Sequence, residues 1–298
     1  MSLKDFIRKN TPVFLLEMNR RRKKKRRNKE LNSMAKAGLS MDQQQLEHDF
    51  RNAGIKSGDS VLVHSALSRI GHLKAGPKTF VDALMQVVGE TGTILMPTSP
   101  NAVYQYDYIR AHKTFDVLNT PSATGKITEY FRTLPGVIRS WHPTEPVSAW
   151  GSKAHYFVDE HFGQLTPYND KSPFYKISEQ KGKILYVGVT LDMAGTNLHT
   201  LEDAVDFKFP VYAPKIFDVT IIDPSGEKHT VKTKVHNPEF SKKRKCDDLI
   251  PLFEKAGVLQ SVKIGQADTL AVDADKLLNV MLKAYHEKGV TMYTPEGS

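Results

Sequence analysis

The sequence predicts a three-layer α/β fold, in which helices cover both faces of a mixed central sheet and a β-hairpin region follows toward the C-terminus. Short apolar segments rich in β-branched residues alternate with amphipathic segments early in the chain, and a later alternating segment contains a Pro-Ser-Gly turn. The length of 298 residues, 40% of them hydrophobic, allows one sizeable core without a metal or disulfide staple.

The chain after residue 41 begins with two helix–strand units. Leu46 and Phe50 are four residues apart on one helical face, Ser40 is a typical residue to open the helix, and Gly54 is a typical stop signal. The run SVLVHSAL is apolar and β-branched, which is typical of a buried strand. We therefore expect helices over residues 41–54 and 78–89 and strands over residues 60–67 and 92–98.

Later segments again show the patterns of buried strands and amphipathic helices. Residues 183–189 (KILYVGV) predict another buried strand, and alternation on both sides of Pro-Ser-Gly predicts a hairpin over residues 217–235. Leu277, Leu278 and Met281 share one face of a predicted helix over residues 275–288. Because strands alternate with helices early and form a hairpin late, the sheet should contain parallel and antiparallel strands.

The net charge of +9 is concentrated in the N-terminal extension. Residues 1–41 contain 13 Lys and Arg against 3 acidic residues, which leaves 29 basic and 30 acidic residues in the remaining 257. We therefore divide the chain into a basic extension, residues 1–41, and an enzyme-like domain, residues 42–298.

The extension combines an apolar stretch with a basic block. Apolar residues between positions 13 and 18 directly precede NRRRKKKRRNK at residues 19–29. Residues 13–29 therefore suit an anionic membrane surface, where each basic residue contributes about 1 kcal/mol. A solvated tail is the alternative. We expect no nucleic-acid binding, because the tail has few aromatic residues and the rest of the chain is nearly neutral.

Other features exclude several classes of protein. Cys246 is the only cysteine, and no apolar run reaches the roughly 20 residues of a membrane span. The N-terminus lacks a signal-peptide pattern, so we expect a cytoplasmic protein, with peripheral contact at the inner face of the membrane as an option. We expect no metal site, because no histidine spacing carries cysteine or carboxylate support, and no hydrolase elbow or P-loop motif occurs.

Polar residues follow three of the predicted strands. Ligands in open α/β sheets bind beyond the carboxyl ends of strands, so the exits HSALSRIG, PTSP and GVTLDMAGTNLHTLED form a candidate site. In the last of these, a helical repeat brings together His199, Glu202 and Asp203. From spacing alone this is either a base with its orienting acid or the polar face of an ordinary helix.

Six ordered blocks carry a resemblance to a known family. VHSALSRIG, ETGTILMPT, the long block from TPSATGKITEYF to AWGSKA, SPFYKI, KILYVGV and TNLHTLED resemble, in order and spacing, the aminoglycoside 3-N-acetyltransferase family. The resemblance covers about residues 42–292 and implies that family's own α/β fold. In LKAGPKT, Ala75 and Pro77 flank Gly76 where the family has a glycine pair, a departure that removes no catalytic group.

The resemblance implies transfer of an acetyl group from acetyl-coenzyme A to an amine. The attacking amine must lose a proton, and a histidine, whose ordinary pKa is about 6.5, suits that task. The block TNLHTLED implies that His199 is the base and Glu202, in the family's H-x-x-E pattern, its acidic partner. Asp203 is the alternative partner, and His142 is the rival base.

The same resemblance implies a coenzyme A cleft at the strand exits. Arg139 is expected to meet phosphate through its planar guanidinium, in a block R-S-x-H-P that also contains Ser140 and His142. Gly125 and Lys126 open a predicted helix where a pyrophosphate would rest. The remaining expected contacts come from the loops after the first two strands: Ser65, Ala66 and Leu67 through their backbone amides, together with Pro97 and Thr98.

The acceptor is expected to be an amino sugar. The membrane-seeking tail and the even spread of acidic residues favour a nucleotide- or lipid-linked amino sugar of surface polysaccharide or lipopolysaccharide biosynthesis over a polycationic drug. Acetylation of aminoglycosides, which confers antibiotic resistance, is the alternative function. A homodimer and a binding module without turnover are the other options left open.

Overall fold

The computed structural model describes residues 13–101 and 104–298. The strands within these residues are β1 (Ser60–Ser65), β2 (Thr93–Pro97), β3 (Thr114–Asp116), β4 (Ile138–Arg139), β5 (Val147–Gly151), β6 (Lys183–Val187), β7 (Phe217–Ile222), β8 (Lys228–Thr233), β9 (Leu259–Ile264) and β10 (Ala267–Asp273). Seven of them form a central sheet of order β4-β5-β2-β1-β6-β10-β9, and three form a smaller sheet of order β3-β7-β8.

The helices lie mainly on the two faces of the central sheet. They are α1 (Val13–Lys36), α2 (Gln43–Asn52), α3 (Leu67–Ile70), α4 (Pro77–Val88), α5 (Gln105–Ala111), α6 (Lys126–Arg132), α7 (Ala154–Val158), α8 (Pro173–Glu179), α9 (Leu191–Ala194), α10 (Thr200–Ala204), α11 (Pro238–Ser241), α12 (Ile250–Lys255) and α13 (Ala274–Lys288). Short 3₁₀ segments span Asp159–His161, Thr196–His199 and Asp247–Leu249.

Alternation along β1 divides the core into two apolar clusters. Leu62 packs in the cluster that contains residues of α7, α8 and α13, such as Phe174 and Leu277. Val61 and Val63 point the other way and pack with α2 and α4, for example with Phe80. Successive side chains of a strand point to opposite faces, so the sheet has a helical layer on each side. The predicted three-layer α/β/α fold is confirmed.

The sheet is mixed, as predicted. β1 pairs in parallel with β2 and β6, whereas β5 and β10 run antiparallel to β2 and β6. The carboxyl ends of the three parallel strands therefore meet at one edge. This edge carries Ser65, Pro97 and Val187, the last residues of their strands.

The predicted elements are present, with three differences. Helix α2 is capped by Asp42 instead of Ser40, since the Asp42 side chain accepts from the Gln45 amide at 3.1 Å. The predicted hairpin forms β7 and β8, but it belongs to the smaller sheet, where β7 also pairs with β3. The hairpin of β9 and β10, which extends the central sheet beside β6, has no counterpart among the predictions.

The basic extension is helical over its described part. The side chains of residues 21–26 are exposed, and Arg27 fastens α1 to the domain by donating to the Ser68 carbonyl at 2.5 Å. Arg27 also donates to Gln266 at 3.4 Å. Residues 1–12 of the extension lie outside the described residues. In the described ranges, no helix has both the length and the apolar character needed to cross a membrane.

Candidate active site

The strand exits form one half of the site. At the end of β1, Ser65 Oγ is buried without a hydrogen-bond partner in the described part of the chain. Gly125, at the start of α6, lies against this strand end: a Cβ built on it would be 3.8 Å from the Ser65 carbonyl oxygen. Its φ of +136° favours glycine. Thr124 Oγ1 donates to the Pro97 carbonyl at 2.8 Å, so β1, β2 and α6 meet here.

The predicted coenzyme A contacts differ in how accessible they are. Gly125 and Lys126 are exposed at this edge. Ala66 was expected to offer its backbone amide, but that N–H donates to the Val187 carbonyl at 2.9 Å and is already used within the protein. Leu67 is half-buried at the start of α3. Pro97 is buried as the last residue of β2.

Arg139 does not have the free guanidinium that a phosphate contact needs. The residue is buried, and its Nε donates to Thr98 Oγ1 at 3.1 Å while Nη2 donates to the Thr98 carbonyl. Its Nη1 donates to the carbonyls of Val117 at 3.2 Å and Thr120 at 2.6 Å. The phosphate role expected from the sequence thus conflicts with this geometry, in which Arg139 ties β4 to β2 and to the loop after β3.

Ser140 and His142 are equally enclosed. Ser140 Oγ accepts from the Val147 amide at 2.9 Å and lies 2.9 Å from His161 Nδ1. The His142 ring stacks on His161, and its Nδ1 lies 3.3 Å from the Glu145 amide, which donates to it. Burial, followed by the nearby His161, holds the pKa of His142 well below its ordinary value. His142 therefore lies in the wall of the sheet edge, only 1% exposed.

His199 and Glu202 form the other half of the site. His199 ends the 3₁₀ segment, and Glu202 lies in α10, which follows at once. His199 Nδ1 lies 3.0 Å from Glu202 Oε1. Because a carboxylate only accepts, Nδ1 carries the proton and Nε2 keeps the lone pair of the neutral ring. The i+3 spacing predicted from the sequence is therefore realised as a contact.

Asp203 is turned away from His199. Its carboxylate accepts from Tyr212 Oη at 2.9 Å. Burial raises the pKa of Asp203 above its ordinary value. Of the two acids weighed as partners of His199, the structure thus brings Glu202 and not Asp203 into contact with the ring.

Two further side chains contact Glu202, and a third contacts one of these two. Tyr293 Oη donates to Glu202 Oε1 at 2.7 Å, and His236 Nε2 lies 2.7 Å from Glu202 Oε2. Arg244 Nη2 donates to His236 Nδ1 at 3.1 Å. We call His199, Glu202, His236, Arg244 and Tyr293 the Glu202 network. Both oxygens of Glu202 are used within it, so this carboxylate orients His199 and is not open to an attacking amine.

Electrostatics set the protonation of the pair. Burial alone would raise the pKa of Glu202, but His199 and His236 outweigh it and hold the pKa well below its ordinary value. Burial lowers the pKa of His199 to about 3, although Glu202 opposes this shift. At neutral pH the pair is therefore a fixed anion beside a neutral imidazole, the state in which a histidine accepts a proton.

The same atoms have the spacing of a metal site. The ligand atoms of His199, Glu202 and His236 lie within 4.8 Å of one another. However, both Glu202 oxygens already accept hydrogen bonds, and the Arg244 cation lies against His236. A metal ion would have to displace these bonds, so the arrangement fits a hydrogen-bonded network better.

One contact joins the halves of the site. His64, in β1 next to Ser65, has its Nε2 3.2 Å from Thr196 Oγ1, in the segment that ends at His199.

A pocket of about 450 Å³ is lined in part by Glu202 and Asp203. Aromatic and aliphatic residues form much of its wall, together with one lysine: Phe207, Phe209, Pro210, Val211, Tyr212, Ala213, Pro214 and Lys234, with Thr166.

Three members of the Glu202 network are not marked by any local sequence pattern. His236, Arg244 and Tyr293 lie 34, 42 and 91 residues after Glu202, outside the six blocks that carry the family resemblance. His236 follows β8, and Tyr293 follows α13. A histidine or tyrosine without a local pattern is an ordinary core residue until the fold shows its neighbours.

Comparisons with known proteins show the family of the chain. A family model described as aminoglycoside 3-N-acetyltransferase matches residues 62–286. Aminoglycoside N(3)-acetyltransferase IX of Micromonospora chalcea is 26% identical over 277 residues, which cover 84% of this chain and 95% of that protein. A structure of AAC-IIIb with CoASH superposes with a TM-score of 0.70 at 26% identity and covers 83% of this chain and 97% of that one. Sisomicin-bound AAC-VIa gives a TM-score of 0.70 at 26% identity, covering 82% and 97%.

Proposed function

The chain belongs to the aminoglycoside 3-N-acetyltransferase family, and from this premise we propose that it acetylates an amine of an aminoglycoside, with His199 as the base. It is an acetyl-coenzyme A-dependent N-acetyltransferase, and the resemblance and fold type predicted from its sequence are confirmed. The contact between His199 and Glu202 carries the proposal for the base, because it leaves Nε2 of a buried neutral ring ready to accept a proton.

Acetyl-coenzyme A supplies the acyl carbon as a thioester. The amine nitrogen attacks that carbon, a C–N bond forms, and the C–S bond breaks. His199 Nε2 takes one proton from the attacking nitrogen and then returns it to the departing thiolate, so that an amide and a free thiol result. Glu202 stabilises the imidazolium that exists between these two steps, since its charge lies 3.0 Å from Nδ1.

Two kinds of group at the strand exits are available to bind the acyl donor: a buried hydroxyl without a partner in the part of the chain that the structure describes, and exposed residues beside it. Ser65 Oγ is buried without a partner in the described ranges, and Gly125 and Lys126 are exposed beside it. We assign the thioester end to Ser65 and the phosphates to the start of α6. Arg139 is left out of this assignment, because its guanidinium is bonded to protein carbonyls.

For the acceptor, the comparisons favour the alternative over the main sequence-based hypothesis. Relatives of this chain are named aminoglycoside N(3)-acetyltransferases, and AAC-VIa was solved with sisomicin. None of the compared proteins points to polysaccharide or lipopolysaccharide biosynthesis. The pocket lined in part by Glu202 and Asp203 is the candidate acceptor site, since its aromatic wall suits stacking of sugar rings.

An acetylation assay with two panels of amines tests this proposal. Release of free coenzyme A thiol is followed with sisomicin, gentamicin and kanamycin, and in parallel with nucleotide-linked amino sugars. We expect turnover with the aminoglycosides, and a kcat/KM at least ten-fold higher than with the nucleotide-linked sugars. Preference for the second panel would reinstate the polysaccharide hypothesis, and turnover with neither panel would contradict the function.

The membrane contact of residues 13–29 remains a separate proposal. The exposed side chains of residues 21–26 and the anchor of Arg27 on Ser68 support a basic helix that is held at the surface of the domain. Full-length protein should sediment with phosphatidylglycerol vesicles at low salt, and a variant lacking residues 1–38 should not. Sedimentation of both or of neither would contradict the proposal.

A further inference from the structure

His236 holds the glutamate of the catalytic pair from a distant part of the chain. Its Nε2 lies 2.7 Å from Glu202 Oε2, a shorter separation than the 3.0 Å between His199 Nδ1 and Glu202 Oε1. Both histidines and the glutamate are at least nine-tenths buried. Glu202 therefore lies between two imidazole rings, only one of which is assigned a role in the proposed reaction.

Arg244 fixes the position of the proton on His236. A guanidinium only donates hydrogen bonds, and Arg244 Nη2 lies 3.1 Å from His236 Nδ1. Nδ1 is therefore an acceptor, and the neutral ring carries its proton on Nε2. That proton is directed at Glu202 Oε2, so His236 donates to the carboxylate in a single tautomer.

Neighbouring tyrosines fix the plane of the same ring. Tyr168 lies 5.4 Å from His236 between ring centroids with an interplanar angle of 19°, and Tyr212 lies 4.9 Å away at 13°. The His236 backbone amide donates to Gln105 Oε1 at 3.1 Å. A rotation of the ring would break the bond to Glu202 and both stacking contacts, so the donor has one orientation.

Tyr293 completes the set of donors at Glu202. Its hydroxyl donates to Oε1, the oxygen that also faces His199. Since each oxygen of the carboxylate is held by a donor other than His199, the carboxylate cannot turn without losing a buried hydrogen bond. The orientation of Glu202 is thus set by residues outside its own helix.

We propose that His236, locked by Arg244, is a positioning residue that keeps Glu202 ionised and aimed at His199 Nδ1. His236 acts through Glu202 and does not touch the reacting atoms. The inference rests on the proposed function, in which His199 is the base. It predicts that the tautomer of the base depends on a histidine 37 positions away.

Three substitutions test this role. His236→Leu removes the donor, His236→Gln keeps an N–H near the position of Nε2, and His229→Leu is the matched control. His229 forms a comparable pair with Asp223 at 3.0 Å in the hairpin of β7 and β8, outside the Glu202 network. The measurements are kcat, the KM for acetyl-coenzyme A, the pH profile of kcat/KM, coenzyme A binding by calorimetry, and thermal unfolding.

We expect His236→Leu to lower kcat by about ten- to a hundred-fold with the KM for acetyl-coenzyme A within about two-fold of wild type. The acid limb of its profile should move to higher pH, because a carboxylate that loses a donor is protonated more readily. His236→Gln should recover most of kcat, and His229→Leu should stay within about two-fold of wild type.

Other outcomes would overturn the inference. If the wild type is active and His236→Leu has the same kinetics, His236 has no positioning role and the proposed function still stands. An inactive wild type would overturn both the inference and the proposed function. Equal damage in the Leu and Gln variants with an unshifted profile would show a packing role only. If His236→Leu does not fold, Arg244→Met replaces it, and an unshifted acid limb there would count against the inference.

Discussion

His199 and Glu202 lie on either side of the junction between a 3₁₀ segment and α10, with 3.0 Å between Nδ1 and Oε1. The contact fixes the tautomer of a ring that is only 4% exposed. Asp203, one residue further on, bonds Tyr212 instead. Because only Glu202 contacts His199, substitutions of the two neighbouring acids can distinguish their roles.

Glu202→Gln should reduce kcat by about ten- to a hundred-fold. The amide keeps the shape, but it removes the charge and places an NH2 group either against His236 or against the donors on His199 and Tyr293. Asp203→Asn is the matched control and should have a smaller effect, since Asp203 does not contact the ring. Steady-state kinetics of both variants check this, and a larger loss in Asp203→Asn would exchange the two roles.

Arg139→Met should lower the free energy of unfolding by about 3 kcal/mol, because it leaves buried carbonyls without donors. The KM for acetyl-coenzyme A should change no more than the KM for the acceptor. Arg51→Met is the control: Arg51 forms an exposed pair with Glu47 at 3.1 Å, and its loss should cost less than about 1 kcal/mol. Urea unfolding measures both variants. A selective rise in the KM for acetyl-coenzyme A with unchanged stability would restore the phosphate role.

The local part of the site could be predicted from the sequence, and the long-range part could not. His199 and Glu202 are three residues apart, so one helical turn is enough to relate them. His236 and Tyr293 lie 34 and 91 residues after Glu202, so only the tertiary fold brings them into contact with it. The buried contacts of Arg139 could not be predicted, because most of its partners are backbone carbonyls, which every residue has and which no sequence pattern marks.

The fold, too, could be predicted from the sequence only in part. The strands of the parallel part are continuous apolar runs because both faces of the sheet are covered, so they were predicted closely. The hairpin of β9 and β10 was missed although Gly265 and Gln266 form a two-residue turn between its strands. In part of this hairpin only every second residue is buried, so the sequence lacks the continuous apolar run that marks a strand covered on both faces.

Stability should fall between pH 6.5 and pH 5. Burial lowers the folded-state pKa of His64, His161 and His199 to about 3 and also lowers that of His142, whereas the unfolded value is about 6.5. The unfolded chain therefore binds more protons below pH 6.5. Below pH 6.5, each such histidine therefore lowers the free energy of unfolding by about 1.4 kcal/mol for every unit by which the pH falls. Urea unfolding at pH 7.5, 6.5 and 5.5 checks this, and equal stability at all three values would contradict it.

The role of His199 as the base is tested by the turnover of His199→Ala with a saturating aminoglycoside. If His199 is the base, kcat should be lower than wild type by about 10² or more, and coenzyme A binding by calorimetry should stay within about two-fold of wild type. A folded His199→Ala variant that binds coenzyme A normally and keeps its kcat within about ten-fold of wild type would show that His199 is not the base.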